Sequence, residues 1–466
     1  MNTSQPQTDT LSGVPGIFAE AKRLLIIAMP LMGAQIAQMS MGVADAVMAG
    51  QYSSTDLAGV ALGGSLFWPT LMLMMGLVQA VTPSVAQLNG AQRYADIGEV
   101  IRQGLWLGVF GGVTAFFMLN TIGPVYDWMQ VDPTASAISV EYLRMTSLGV
   151  PALMCFFCLR FLSDGMGFTR PALFISVGAL MLKIPLNYVF IYGHFGLPEM
   201  GGVGAGLAQA IIMWFQLAMI VLVVTRERFN KTGWRSQFSW PFWARIKPLL
   251  IIGIPIGATI FAEMGLFSLT TILLGRFGAE TVASHNISMS INGVLFMPAM
   301  ALGMAATIRI GFRVGAGEIT QARTTAAIAI GTTILIALVG SLMILLFRDQ
   351  MAGAYTSEAN VVALASTLLL FVVFFLVFDA TQATAAGTLR GYKDTKVPMY
   401  IALFSYWGVG LPVECVLGFG WVGEPMGVYG FWLGLAIGVG TAAILLSARL
   451  WWTSHNRKFI LNMAQN

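Results

Sequence analysis

The chain is 466 residues long, with 57% hydrophobic and only 10% charged residues, and its mean hydropathy is +0.76. A soluble globular protein carries about 25% charged residues, so that class is excluded, and the length leaves room for about twelve membrane spans with short loops. The formal net charge of +4 does not point to nucleic acid, because the placement of the basic residues along the chain follows a membrane topology instead.

Residues 1–20, MNTSQPQTDTLSGVPGIFAE, are polar and contain acids, with no basic stretch ahead of a cleavable apolar core. The first span is therefore expected to act as the insertion signal. Apolar runs follow at 24–47, 57–85, 103–124, 139–163, 171–192, 203–225, 248–274, 282–308, 324–347, 361–388, 398–420 and 428–449. A helix of about 20 residues crosses the ~30 Å hydrocarbon core, so the expected fold is an all-α polytopic membrane protein with twelve transmembrane helices. The longest connector, 226–247, holds six basic residues and joins the sixth and seventh runs. With the N-terminus in the cytoplasm, 21 of the 25 Lys and Arg fall on that side; Arg276 and Arg348 fall outside, and Arg144 and Lys183 lie within runs. That bias places both termini in the cytoplasm. Cys155, Cys158 and Cys415 all fall in apolar runs; without a second CxxC or a nearby His they read as packing residues.

The connector is also the boundary of an internal duplication. KRLLIIAMP (22–30) aligns with KPLLIIGIP (247–255) at an offset of 225, which also matches Gly50 with Gly275 and Ala58 with Ala283. After small gaps the offset is 227, where Gly90 meets Gly317, Pro171 meets Pro398, Pro185 meets Pro412 and Pro198 meets Pro425. Late in each half, GGVGAGLA (201–208) answers GVYGFWLGLA (427–436). Six spans is an even number, so the halves share one orientation about an axis along the membrane normal. The expected divisions are a cytoplasmic tail at 1–20, a six-helix lobe at 21–225, a cytoplasmic linker at 226–246, a six-helix lobe at 247–450 and a cytoplasmic tail at 451–466. Two similar bundles facing a central cavity make a transporter's plan.

Four acids interrupt the apolar runs. Asp45 is the only charge in 24–55, Glu263 the only one in 248–275, Asp379 the only one in 359–389 and Glu414 the only one in 397–423. Glu263 is sixteenth in its run of 28, near the bilayer midplane, where an unpaired carboxylate costs on the order of 2.5 kcal/mol or more. An acid buried in low dielectric can hold a proton near neutral pH and exchange it for a cation, and hard oxygen ligands also suit Na+. Glu263 and Asp379 are therefore expected to couple Na+ or H+, with Na+ held at that pair. Asp45, further toward the outer end of its helix, is a third coupling candidate, and Glu414 has only its burial to recommend it. The duplication sets Gln38 opposite Glu263 and Thr270 opposite Asp45, so each half keeps a polar group where the other has an acid. The ion site is expected to be asymmetric. Lys183 and Asn187, four apart, share a helix face; Lys183 lies too deep to snorkel, and Asp45, then Asp164, are its expected partners.

GVADAVMAG (42–50), PLNYVFIYGHFG (185–196), PIGATIFAEMGLF (255–267) and FDATQATAAGTLRGYKDTKVP (378–398) together resemble the multidrug and toxic compound extrusion (MATE) transporters, most of all their NorM-type bacterial branch. The resemblance implies two six-helix lobes around a V-shaped cavity and export of organic cations and drugs against inward Na+ or H+. It implies that Glu263 and Asp379 are the second-lobe cation-site acids and that Asp45 with Asn187 forms a first-lobe polar site, to which Gln38 and Lys183 are added here. The resemblance assigns no role to Lys183. The 28 Met, 30 Phe and 12 Trp suit a cavity that accepts varied flat cations.

The expected function is a secondary active multidrug antiporter of a bacterial inner membrane, a monomer in the lipid bilayer with no cofactor and no nucleic-acid partner. A lipid-linked precursor flippase of related fold is the alternative; it calls for several cavity cations, and apart from Arg160 and Arg449 near the cytoplasmic ends of their runs, only Lys183 and Arg144 lie within runs. No HExxH, GxSxG or His-rich cluster supports an intramembrane enzyme, and no Gly-Lys-Ser/Thr phosphate loop supports a nucleotide-driven pump.

Overall fold

The structure is a computed structural model that describes residues 14–128 and 132–465; most of the expected N-terminal tail lies outside the described residues. The first half runs through α1 (Val14–Tyr52), α2 (Ser54–Gln79), α3 (Val81–Gly90), α4 (Tyr94–Asn120), α5 (Gly123–Trp128), α6 (Pro133–Ser147), α7 (Val150–Gly165), α8 (Arg170–Tyr192), α9 (Gly202–Val224) and the short α10 (Glu227–Asn230). The second half runs through α11 (Trp243–Leu274), α12 (Ala279–Gly315), α13 (Ile319–Gly353), α14 (Ala359–Gly391), α15 (Lys396–Leu403), a π-helical turn (Phe404–Gly410), α16 (Leu411–Phe419), α17 (Val428–His455) and α18 (Arg457–Gln465). Among the described residues there is no strand. Eleven helices or continuous helix pairs are long and apolar enough to cross a membrane, and α6 with α7, bent by 49°, makes a twelfth. The expected run 139–163 is thus a broken span. Its bend falls at Leu148 and Gly149, where Pro151 follows and a Cβ on Gly149 would lie 2.7 Å from Ala210 Cα.

The duplication is visible in the backbone. Gly193 ends α8 at φ 69°, ψ 44°, and Gly420 ends α16 at φ 70°, ψ 36°. Gly201 opens α9 at φ 54°, ψ −138°, and Gly427 opens α17 at φ 57°, ψ −137°. Side chains other than hydrogen are strained at such angles, which is why glycine stands at both members of each pair.

The fold divides into two compact units. One holds Pro30–Ser268 and Thr395–Leu403; the other holds the described residues of Met1–Met29, Leu269–Asp394 and Phe404–Asn466. This division departs from the lobes 21–225 and 247–450 at the first helix of each repeat, for identifiable reasons. In α1, fully buried Glu20 accepts from Arg309 at 2.9 and 3.0 Å, from Arg313 at 2.9 Å and from Thr325 at 2.8 Å, which ties the start of the chain to α12 and α13. In α11, Gly253 and Gly257 pack on α2, where a Cβ on Gly76 would lie 2.2 Å from Gly257 Cα. The linker 226–246 is also no free strap. Arg102 of α4 donates to Ser239 Oγ at 2.8 Å, Gln103 to Trp240 O at 3.0 Å and Trp106 to Ser239 O at 3.0 Å. The expected C-terminal tail at 451–466 continues α17 and then forms α18, with Arg449 and Thr453 bonded to buried Asp394 at 2.7 and 2.9 Å.

Candidate functional site

The polar groups that could serve transport form separate clusters, each inside one unit. In the unit Pro30–Ser268, α1 carries Asp45 and α8 carries Lys183 and Asn187 one turn apart. Lys183 Nζ lies 3.0 Å from Asp45 Oδ1; it also donates to Gln209 Oε1 at 2.8 Å and to Ala205 O at 3.2 Å. Asn187 Nδ2 donates to the same Asp45 oxygen at 2.7 Å. Lys183 and Asn187 are fully buried and Asp45 nearly so. Of the two partners open to Lys183, it takes Asp45, while Asp164 lies 3.5 Å from Arg160 on its own helix. Three oxygens around an ammonium are the contacts that bring a lysine to this depth, since a buried charge must be paired and hydrogen-bonded.

A cavity of about 200 Å³ opens beside this pair, with Gln38, Asp45, Tyr142, Gln209 and Gln216 as its polar lining and Phe67, Trp68 and Phe157 among its apolar walls. Pockets for drug-sized ligands measure about 300–1,000 Å³, so this space is smaller than such a pocket. The structure therefore brings Asp45, Asn187, Lys183 and Gln38 together.

In the other unit, Asp379 sits nearly buried on α14. It accepts from Asn292 Nδ2 of α12 at 3.3 Å and from Gln382 Nε2 at 3.2 Å. Gln382 in turn accepts from Tyr406 Oη at 3.0 Å, and Tyr406 belongs to the π-helical turn. Such turns interrupt a helix where a side chain must be re-aimed, and they are frequent at functional positions. No basic side chain pairs with Asp379 among the described residues. Glu263, half-buried on α11, belongs to the unit that holds Asp45 and not to that of Asp379. In the Asp379 unit, fully buried Glu414 accepts from Thr270 Oγ1 at 2.6 Å. His285 is buried, edge-on to Trp432 and 3.2 Å from Thr271 Oγ1, a packing role. Among the described residues no group of three or more His, Cys, Asp or Glu is placed to hold a metal ion.

Sequence reasoning missed Gln209, Asn292, Gln382 and Tyr406. Each is an uncharged polar residue in an apolar run, a weaker signal than a charge. Only the fold shows which of them converge on an acid.

Comparison with known proteins identifies the family. The MatE family profile matches residues 30–189 and 255–416. The chain is 42% identical to multidrug resistance protein PmpM of Pseudomonas aeruginosa over 437 residues, 93% of this chain and 92% of that protein. It is 38% identical to the probable multidrug resistance protein NorM of Pasteurella multocida, covering 92% of this chain and 94% of that one. Multidrug resistance protein MdtK of Yersinia pseudotuberculosis is also 38% identical, over 96% of this chain and 98% of its own length. Among solved structures, the eukaryotic MATE transporter AtDTX14 has a TM-score of 0.88 at 22% identity, covering 96% of this chain and 99% of that one. The Vibrio cholerae transporter VcmN in its bent form has a TM-score of 0.83 at 19% identity, covering 96% and 98%. With the family profile covering both repeats and relatives aligned over nearly their full length, the chain belongs to the MatE family of multidrug and toxic compound extrusion transporters.

Proposed function

We propose that this chain is a secondary active antiporter of a bacterial inner membrane, exporting organic cations and drugs in exchange for inward Na+ or H+. Its work is transport, with no bond made or broken in the cargo. The observation that carries the reading is Asp379: a carboxylate inside an apolar helix, held by two neutral amides and by no basic side chain among the described residues. A small cation or a proton relieves the cost of that buried charge, and relatives known as multidrug resistance proteins point to drugs as the cargo. Glu263 is a second coupling acid. Asp45 is a third, at which an incoming cation competes with Lys183 for the carboxylate, with Asn187 and Gln38 as polar lining. Exchange requires that ion and cargo favour opposite states of an alternating-access cycle, because a ligand with equal affinity for both states shifts nothing.

The test is efflux of a fluorescent organic cation from proteoliposomes, first under a Na+ gradient at equal pH and then under a proton gradient without Na+. Wild-type protein is expected to respond to at least one gradient and so name its ion; Asp379→Asn and Glu263→Gln are expected to fall to the level of protein-free liposomes while eluting as folded monomers. Normal coupled efflux from both variants removes these acids from the mechanism. A correctly inserted wild-type protein that answers neither gradient favours the lipid-linked cargo instead.

A further inference from the structure

The two repeats keep the same interhelical hydrogen bond but place its acid on opposite sides. The offset of 225 that matches Gly50 with Gly275 matches Asp45 with Thr270, and the offset of 227 that matches Pro185 with Pro412 matches Asn187 with Glu414. In the first repeat, Asn187 donates to Asp45 at 2.7 Å. In the second, Thr270 donates to Glu414 at 2.6 Å. The same pair of positions is bonded in both, with the acid on the first span of one repeat and on the fifth of the other.

The surroundings of the two acids then diverge. Lys183, which neutralises Asp45, corresponds to Gly410 at the end of the π-helical turn, so the second repeat has no ammonium at that place. Glu414 Oε1 accepts no hydrogen bond among the described residues, and the side chain is fully buried. The α17 backbone closes over it: a Cβ on Gly434 would lie 2.5 Å from Glu414 N and 2.6 Å from its Cγ. Titratable groups on its own helix and on adjoining elements include Cys415 beside it on α16, Tyr406 in the π-helical turn, bonded to Gln382, and His285 of α12, within reach of Thr271. On α11 the contact is Thr270, and α17 presents Gly434 and Gly438 at this level. No basic side chain forms an ion pair with Glu414 among the described residues.

A fully buried carboxylate with neutral neighbours and one oxygen lacking a donor is costly while ionised. Thr270 and Glu414 supply three side-chain oxygens, against the ~6 or more that a hard cation takes, so a metal ion is poorly served. A proton is enough. We propose that Glu414 is a proton-carrying site of the second repeat, distinct from Glu263 and Asp379, in which Thr270 holds one carboxyl oxygen while the proton binds the other. Protonation forms one O–H bond with a proton drawn from water and needs no other reactant. Its use in coupling rests on the antiport reading above; its occurrence does not.

The experiment is infrared difference spectroscopy of the whole protein in liposomes, between acidic and alkaline buffer, run beside the efflux assay. Wild type is expected to show a protonated-carboxyl stretching band that disappears in Glu414→Gln, shifts in Thr270→Val as the hydroxyl donor is lost, and returns in the double variant Thr270→Asp/Glu414→Asn, which moves the acid to its first-repeat position. Proton-driven efflux should be lost in Glu414→Gln and regained at least in part in the double variant. Carboxyl bands unchanged by Glu414→Gln overturn the proposal even when wild type transports. A Glu414-dependent band in a protein that answers no ion gradient keeps the site and removes the antiport reading. Thr270→Val, which leaves the carboxylate in place, covers the case in which Glu414→Gln fails to fold.

Discussion

Lys183 is the one cation buried inside the Pro30–Ser268 unit that meets an acid on another helix among the described residues, since Arg160 pairs within α7. Its ammonium stands where a free cation would otherwise be drawn, within hydrogen-bond reach of Asp45, Gln209 and the Ala205 carbonyl. Removing one member of a buried ion pair leaves the other charge stranded, at a cost of about 3–5 kcal/mol, whereas removing both leaves only polar groups of similar size. Asp45→Asn and Lys183→Gln are each therefore expected to lower thermal stability clearly, and the Asp45→Asn/Lys183→Gln double variant to recover most of the loss. Detergent-solubilised unfolding curves for the four proteins check this through the coupling term of the cycle. Additive losses would mean that the two side chains are held by their neighbours and not by each other.

At the scale of elements, the Asp379 cluster depends on how closely α12 and α14 cross. A Cβ on Gly387 would lie 2.4 Å from Gly303 O, and Thr307 Oγ1 donates to Gly387 O at 2.6 Å. Thr384, on the same face, bonds Thr333 of α13 at 2.9 Å. Small residues that let backbones approach, joined by hydroxyl bonds, are how helices associate where lipid gives no hydrophobic drive. Asn292 and Asp379 sit on these two helices, so their 3.3 Å bond depends on that approach. Gly387→Leu is expected to destabilise by about 1–3 kcal/mol or more and to remove ion-coupled efflux, whereas Gly331→Ala on α13, where a Cβ meets nothing within 4 Å, should unfold at or slightly above the wild-type temperature. Equal thermal profiles for the two variants would show that the crossing does not set the site. This level of organisation was not legible beforehand. A lone acid in an apolar run announces itself, as Asp45, Glu263 and Asp379 did, but Asn292 and Gln382 become functional candidates only when helix packing shows what they face. The π-helical turn at Phe404–Gly410 is equally silent, because seven residues of i→i+5 bonding carry no hydrophobic period of their own.

At the scale of the whole chain, the spans and the duplication were legible because membrane depth demands long apolar runs and because matched prolines and glycines survive in both repeats. Less legible was the way α1 and α11 begin against the opposite repeat, which rests on Glu20 meeting Arg309 and Arg313 and on glycines packing at α2. Ion pairs between distant segments leave no periodic trace. The charge distribution, by contrast, carries one prediction about the molecule as a unit: both termini and the linker are expected in the cytoplasm, with Arg276 and Arg348 among the few basic residues expected outside. Ser236 in the linker and Ser357 in the turn before α14 are both exposed and fall on opposite sides in that topology. With Cys155, Cys158 and Cys415 replaced by alanine, an impermeant maleimide added to intact cells is expected to label Ser357→Cys and to leave Ser236→Cys unlabelled until the cells are opened. The reverse pattern would invert the chain in the membrane and turn the proposed direction of ion flow with it. Labelling of both in sealed cells would require either a leaky membrane, which a cytosolic control protein reveals, or a mixed insertion that the lopsided placement of lysine and arginine along the chain argues against.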